Sequence, residues 1–164
     1  MGPELLARLV DEHAAALTLY ARQWCSAPED VVQEAYLKLV SLPRPPENLL
    51  PFLYRTVRNA AISAGRSERR RRRHEAVAAA RAPAWFRARD PAGLDARTAT
   101  AALQELPAEE REVIVAHLWG GLTFEQIALV AGCSSSTAHR WYAAGLAALR
   151  ERLRIPCPDD RTSR

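Results

Sequence analysis

Apolar residues recur at three- and four-residue spacing along most of this chain, and the pattern predicts an all-α protein. Leu5, Leu6, Leu9, Val10, Leu17, Tyr20 and Trp24 mark a first helix over residues 4–24. A second starts at Ala27-Pro28-Glu29-Asp30 and turns Val31, Val32, Ala35, Tyr36 and Leu39 inward. Its opposite side carries Asp30, Gln33, Glu34 and Lys38, with Leu37 partly exposed. The stretch Leu42 to Asn48 is expected to be a loop, because its closely spaced prolines remove donors and restrict their neighbours. A long third helix runs from about Pro51 to about Ala80, with Phe52, Leu53, Val57 and Ala60 as core candidates.

Residues 81–96, with Pro83, Asp90-Pro91 and Gly93, read as a connector. Trp85 and Phe86 are unusual in a free linker and are expected to dock, within the chain or on a partner. The helical pattern resumes from about Asp95 through Leu103 and Leu106. Pro107 then opens a helix holding Val113, Ile114, Val115, Leu118 and Trp119, which closes at Gly120-Gly121. Beyond it, Thr123 is placed to cap a short helix, and Gln126 three residues later can close a capping box. Gly132 stands where that helix should end in a left-handed residue, and Ser134 can cap the next one. Ile127, Ala128 and Ala131 face the core from the first of these helices, and Trp141, Gly145 and Leu149 from the second. Such a pair is either a DNA-binding helix-turn-helix or an ordinary helical hairpin.

Charge changes the balance between those readings. Net charge is only +4, but Lys38 is the sole lysine, so nearly all the positive charge is arginine. A planar guanidinium matches phosphate and guanine, although a GC-rich genome gives the same bias. Arg55, Arg58, Asn59, Arg66, Arg69, Arg70 and Arg73 fall largely on one face of the third helix, and the run Arg69 to Arg73 then encircles it. A block of this kind repels itself and is stabilised by a polyanion. Hydrophobic residues make up 48% of the 164-residue chain, enough for real cores, while two halves of that size would each be marginal alone. The expected organisation is a first domain over residues 1–80, the linker 81–96, a second domain over 97–155 and a tail over 156–164.

These strings resemble the small bacterial sigma factors of the extracytoplasmic-function group, from about residue 5 to residue 153 and in the family's order. Asp30 to Leu37 resembles region 2.2, and Phe52 to Ala61 the helix that reads the −10 element. Leu106 to Val113 resembles the opening of region 4, and Thr123 to Leu153 resembles region 4.2, which reads the −35 element. The resemblance implies two helical bundles on a flexible connector, docking on core RNA polymerase and recognition of promoter DNA. It implies polymerase contacts at Asp30, Gln33, Glu34, Leu37 and Lys38. Contacts to the −10 element fall to Arg55, Arg58, Asn59, Arg66, Arg69 and Arg70, with Asn48 as the polar edge for an unstacked base in the preceding loop. Contacts to the −35 element fall to Ser135, Ser136, Thr137, His139 and Arg140, with Arg140 at guanine or phosphate and Ser136 and Thr137 at phosphate. An anti-sigma factor is a further implied partner.

This chain departs from the family in its proline-rich loop and in the alanines of its recognition helix. Ala143, Ala144, Ala147 and Ala148 leave −35 affinity resting on few charges, or offer a face to a protein partner. Enzymatic function has no support: no glycine-rich phosphate loop, paired metal-ligand motif or nucleophile constellation is recognisable. His13, His74, His117 and His139 are scattered singly, and Cys25, Cys133 and Cys157 form no pair, so neither a metal nor another cofactor is expected. No stretch approaches the roughly 18 apolar residues of a membrane span, and Glu4, Asp11 and Glu12 argue against a signal peptide. The expected location is the cytoplasm. A stand-alone helix-turn-helix regulator remains the alternative, although it leaves the Asp30 to Leu37 face without a job.

Overall fold

Pro3 and Pro28 each open a helix, where a missing N–H costs nothing, and Glu4, Glu29 and Asp30 set carboxylates against the same positive helix ends. The computed structural model describes residues 2–74 and 96–153 and contains, among them, seven α-helices. These are α1 (Pro3–Ala21), α2 (Pro28–Ser41), α3 (Leu49–His74), α4 (Ala96–Gln104), α5 (Ala108–Leu118), α6 (Phe124–Ala131) and α7 (Ser135–Leu153). No strand occurs among the described residues.

The boundaries shift where backbone chemistry outweighs periodicity. Helix α1 ends at Ala21 rather than near Trp24, and Trp24 instead lays its ring edge-on to Tyr20 at 5.0 Å. Leu42 leaves α2 with ψ at 134°, the extended backbone that a following proline demands. Helix α3 starts two residues before Pro51, and the Asn48 carbonyl accepts its first hydrogen bond from Phe52 at 3.2 Å. Pro51 thus sits in a first turn, where no intrahelical donor is missed. The expected continuation of α3 over 75–80, Trp85 and Phe86, all of the connector except Ala96, and the tail with Cys157 lie outside the described residues. Ala96 itself already opens α4.

The first three helices pack on one another, and so do the last four around α7 and α5. Val31, Val32, Ala35, Tyr36 and Leu39 are all buried, as the α2 pattern predicts. Tyr36 donates its hydroxyl to the Leu9 carbonyl at 2.9 Å, fixing α2 against α1. Gly65 lets α3 come so close that a Cβ there would run into the Trp24 carbonyl, and Ser26 in the same loop donates to Glu68 from its hydroxyl at 2.8 Å. In the other group, α5 buries five consecutive residues, Glu112 to Ala116, so it is enclosed on every side. Leu118 and Trp119 at its end are 52% and 45% exposed, because α5 ends there and the chain turns away through Gly121 at φ +67°.

The two groups are not independent bundles. One buried cluster runs from Leu17, Tyr20, Leu53, Tyr54 and Val57 into Val113, Ile114, Leu122 and Ile127. Helix α6 lies on α3, and α5 lies on α1. At the crossing Gly120 sits directly under the Tyr54 hydroxyl, where a side chain would collide with the ring. Burial raises the Tyr54 phenol well above its ordinary value, so it stays protonated. Sharing one core gives both groups a larger interior than either encloses by itself.

Replacing Gly65 by alanine should destabilise the chain by about 1–3 kcal/mol, the usual cost of overpacking a closed contact. Urea unfolding followed by circular dichroism measures it; an unchanged midpoint would mean that α3 does not lie this close to Trp24.

Candidate nucleic-acid interface

Helix α3 presents two faces with different work. Leu53, Tyr54, Val57 and Ala61 are buried, while Arg55, Asn59, Arg66, Arg69 and Arg70 are exposed. Positions 55, 59, 66, 70 and 73 are spaced by three, four or seven residues and therefore line up along the helix. Of these, Asn59, Arg66, Arg70 and Arg73 border, with Arg58, Ile62, Ser63 and Arg69, a shallow groove of about 660 Å³. Guanidinium groups repeated at this spacing, without a carboxylate among the groove's lining residues, form a surface whose charge and spacing suit a phosphate backbone. Asn48 is exposed at the entrance to α3.

Arg58 departs from the rest of the stripe. Its Nε donates to Glu112 Oε1 at 2.6 Å and its Nη2 to Oε2 at 3.2 Å. The Tyr20 hydroxyl donates to the same Oε1 at 2.6 Å. Side chains of Arg58 and Glu112 are 25% and 7% exposed, so this is a largely desolvated, bidentate pair. The hydrogen bond that Arg58 donates to Glu112 raises the Arg58 pKa further, and burial with the neighbouring carboxylate pushes the Tyr20 phenol well up. An arginine expected at DNA is, in this arrangement, committed to a carboxylate of α5.

The α2 side of the same bundle is open. Asp30, Gln33, Glu34 and Lys38 are exposed, and Leu37 is 62% exposed, more than a partly covered residue. Val40, which pattern reasoning did not single out, adds a second apolar side chain, 51% exposed. Glu34 and Lys38 of α2 meet Phe52, Arg55 and Asn59 of α3 along a second groove of about 580 Å³. The expected polymerase and DNA residues therefore adjoin each other.

The helix-turn-helix is built by its caps. Thr123 Oγ1 accepts from the Gln126 N–H at 3.3 Å, and Gln126 Oε1 accepts from the Thr123 N–H at 3.0 Å. The Glu125 carboxylate in that first turn is held below its ordinary range by its own backbone N–H and by Thr123. Gly132 ends α6 at φ +73°, and Ser134 Oγ accepts from the Thr137 N–H at 3.1 Å to start α7. Ser136 and Thr137 take part in this cap as well, with hydroxyl contacts to Ser134 at 3.4 and 2.8 Å. Ser136, His139 and Arg140 are exposed, and Ser135 and Thr137 are half-buried. The free N–H groups of this helix start add donors of their own for a phosphate.

An aromatic cluster that helical periodicity does not reveal holds the pair together. His117 stacks on Phe124 with centroids 4.6 Å apart, and Tyr142 meets both rings edge-on at 4.9 and 5.4 Å. His117 Nδ1 lies 2.8 Å from the Leu122 carbonyl, which can only accept, so that nitrogen carries the proton. His139 also rests edge-on against Phe124 at 5.1 Å. Cys133 is half-buried, and burial raises its thiol pKa, as suits packing rather than reactivity.

Comparison with known proteins identifies both halves. Residues 9–71 match the family model Sigma-70 region 2, and residues 97–149 match Sigma-70, region 4. No curated relative matches the sequence. Among solved structures, the fold is similar to the sigma factor RpoE of Bartonella quintana, crystallised with the anti-sigma factor NepR. The TM-score is 0.72 at 23% identity, over 95% of this chain and 100% of that one.

Thr123→Ala removes one side of the capping box and should cost about 1 kcal/mol of stability, whereas Thr123→Ser should retain most of it. Equal urea midpoints for the two variants would show that the box does not hold α6.

Proposed function

The chain belongs to the sigma-70 family, in the two-module form of the extracytoplasmic-function group, and on that premise we propose which of its residues carry the work. A sigma factor performs no covalent chemistry. It binds core RNA polymerase and directs transcription to promoters through their −10 and −35 elements. The residue assignment rests chiefly on one observation: an exposed arginine stripe on α3 beside an open, mixed face on α2, in a chain that also carries a capped helix-turn-helix.

The α2 face docks on polymerase. Leu37 and Val40 supply apolar area, and Asp30, Gln33, Glu34 and Lys38 supply the polar rim that fixes orientation. Arg55, Asn59, Arg66, Arg69 and Arg70 track the −10 duplex, joined by Arg58 when it is released from Glu112. Asn48, at the mouth of α3, offers hydrogen bonds to an unstacked base. At the −35 element, Arg140 reads guanine or grips phosphate, with His139 beside it. Ser135, Ser136 and Thr137 bring the helix start to the backbone.

We assign the region 2 module to residues 1–80, the linker to 81–96, the region 4 module to 97–155 and the tail to 156–164; the family matches over 9–71 and 97–149 support the two modules. No described helix is long and apolar enough to cross a membrane, and the place of work is the cytoplasm, with the polymerase. RpoE of Bartonella quintana is held by an anti-sigma factor; the same class of partner fits this chain.

Run-off transcription with core polymerase on genomic fragments, including the region upstream of the chain's own reading frame, tests the assignment. A start site should appear only when the protein is added. Arg140→Ala or Arg55→Ala should lower its yield by about tenfold, the effect of about 1.4 kcal/mol. Deleting a single arginine–phosphate interaction on α3 should also reduce the slope of log affinity against log salt by about 0.9. Full activity of the Arg55, Arg66 and Arg70 variants would remove α3 from the DNA interface.

A further inference from the structure

Glu112 lies within region 4 and outside both DNA-reading surfaces, yet its buried carboxylate receives groups from two helices of the other half. Its Oε1 accepts from Tyr20 of α1 and from Arg58 of α3, and its Oε2 takes the second nitrogen of the Arg58 fork. Two parallel N–H donors on two oxygens is also how a guanidinium holds a phosphate. We propose that this arrangement is a closed state of the chain, latched by Glu112, whose carboxylate occupies on Arg58 the place of a DNA phosphate.

Geometry separates this closed state from promoter reading. Elements named for positions −10 and −35 are about 25 base pairs apart, or roughly 85 Å of duplex at about 34 Å per turn. Here α6, the first helix of the helix-turn-helix, lies directly on α3. Helix α7 has 19 residues, a length of about 28 Å at 1.5 Å per residue. With their elements in contact, the two readers cannot reach both sites, so the halves must part.

Parting breaks the Glu112 contacts and exposes Tyr54, which Gly120 covers. It also returns Arg58 to the groove it already borders with Asn59 and Ile62. DNA and Glu112 therefore compete for one guanidinium. A charged latch suits a contact that has to open, because removing charges from water offsets much of the attraction between them. The DNA half of this proposal rests on the reading of α3 given above.

The test uses the full chain and two readouts, the radius of gyration from X-ray scattering and the anisotropy of a fluorescein-labelled duplex of mixed sequence. Glu112→Gln keeps size and a carbonyl acceptor for Tyr20, and removes the charge. It should expand the chain at unchanged helix content and bind the duplex at least about threefold more tightly, which corresponds to a wild-type chain closed about two-thirds of the time. An unchanged radius with unchanged affinity would overturn the latch.

If Glu112→Gln loses helix content, Tyr20→Phe serves instead, since it deletes one hydrogen bond onto Glu112. It should move both readouts the same way by less, and a folded Tyr20→Phe chain with neither moved would equally sink the proposal. The double variant Glu112→Gln with Arg58→Gln separates the two claims. An expanded double variant that binds the duplex as tightly as Glu112→Gln alone would leave the latch standing and remove Arg58 from the DNA surface.

Discussion

A carboxylate in the middle of an enclosed helix has to be paired, and much of this structure is arranged around that requirement at Glu112. An unpaired charge in such a place would cost several kcal/mol. Helix α5 cannot supply the partners, since its buried neighbours are Val113, Ile114, Val115 and Ala116. The donors come instead from Tyr20 and Arg58. Satisfying one side chain thus fixes how α1 and α3 stand against α5, and with them the relation between the two halves. The surrounding apolar contacts add attraction, but they are less selective about register. A bidentate pair with a third hydrogen bond admits few alternative placements.

How much of this was legible in the sequence depends on how far each partner lies along the chain. Thr123 and Gln126 are three residues apart, Ser134 and Thr137 likewise, and Gly132 acts through its own backbone. Such signals are local, and all of them read correctly. The inward residues of α2 were legible for the same reason, because helical periodicity alone sorts Val31 and Leu39 from Gln33 and Lys38. Arg58 and Glu112 are 54 residues apart, and Tyr20 and Glu112 are 92 apart. No spacing rule reaches that far, and a glutamate in a run of charged residues reads as surface until its partners are known. The closed cluster of His117, Phe124, His139 and Tyr142 escaped for a related reason, as it unites three separate segments through ring geometry.

The candidate site divides along the same line. Successive residues of a helix point about 100° apart, so a face assigned from spacing is uncertain at its edges. Arg55 and Asn59 lie well inside the exposed stripe. Tyr54 and Arg58, one residue earlier in each case, lie on the side that meets α6 and α5. Periodicity placed Arg58 with the stripe, and tertiary packing turned its guanidinium toward Glu112. At Leu118 and Trp119 apolar side chains stay exposed because the helix ends before a neighbour covers them.

These faces also explain how one small chain can serve a positional function. A factor that brings polymerase to a promoter needs several weak surfaces that engage together, each raising the effective concentration of the next. The α2 face and the α3 stripe share a groove through Glu34, Lys38, Arg55 and Asn59, so on the proposed assignment docking at one changes the charge felt at the other. On the same proposed assignment, the alanines along α7 leave Arg140 and the helix start to carry most of the polar contact at the second element. Enclosing Arg58 pushes in the same direction: it withholds one cation from the stripe until the halves part, and lets the remaining arginines make the first, unspecific approach to the duplex.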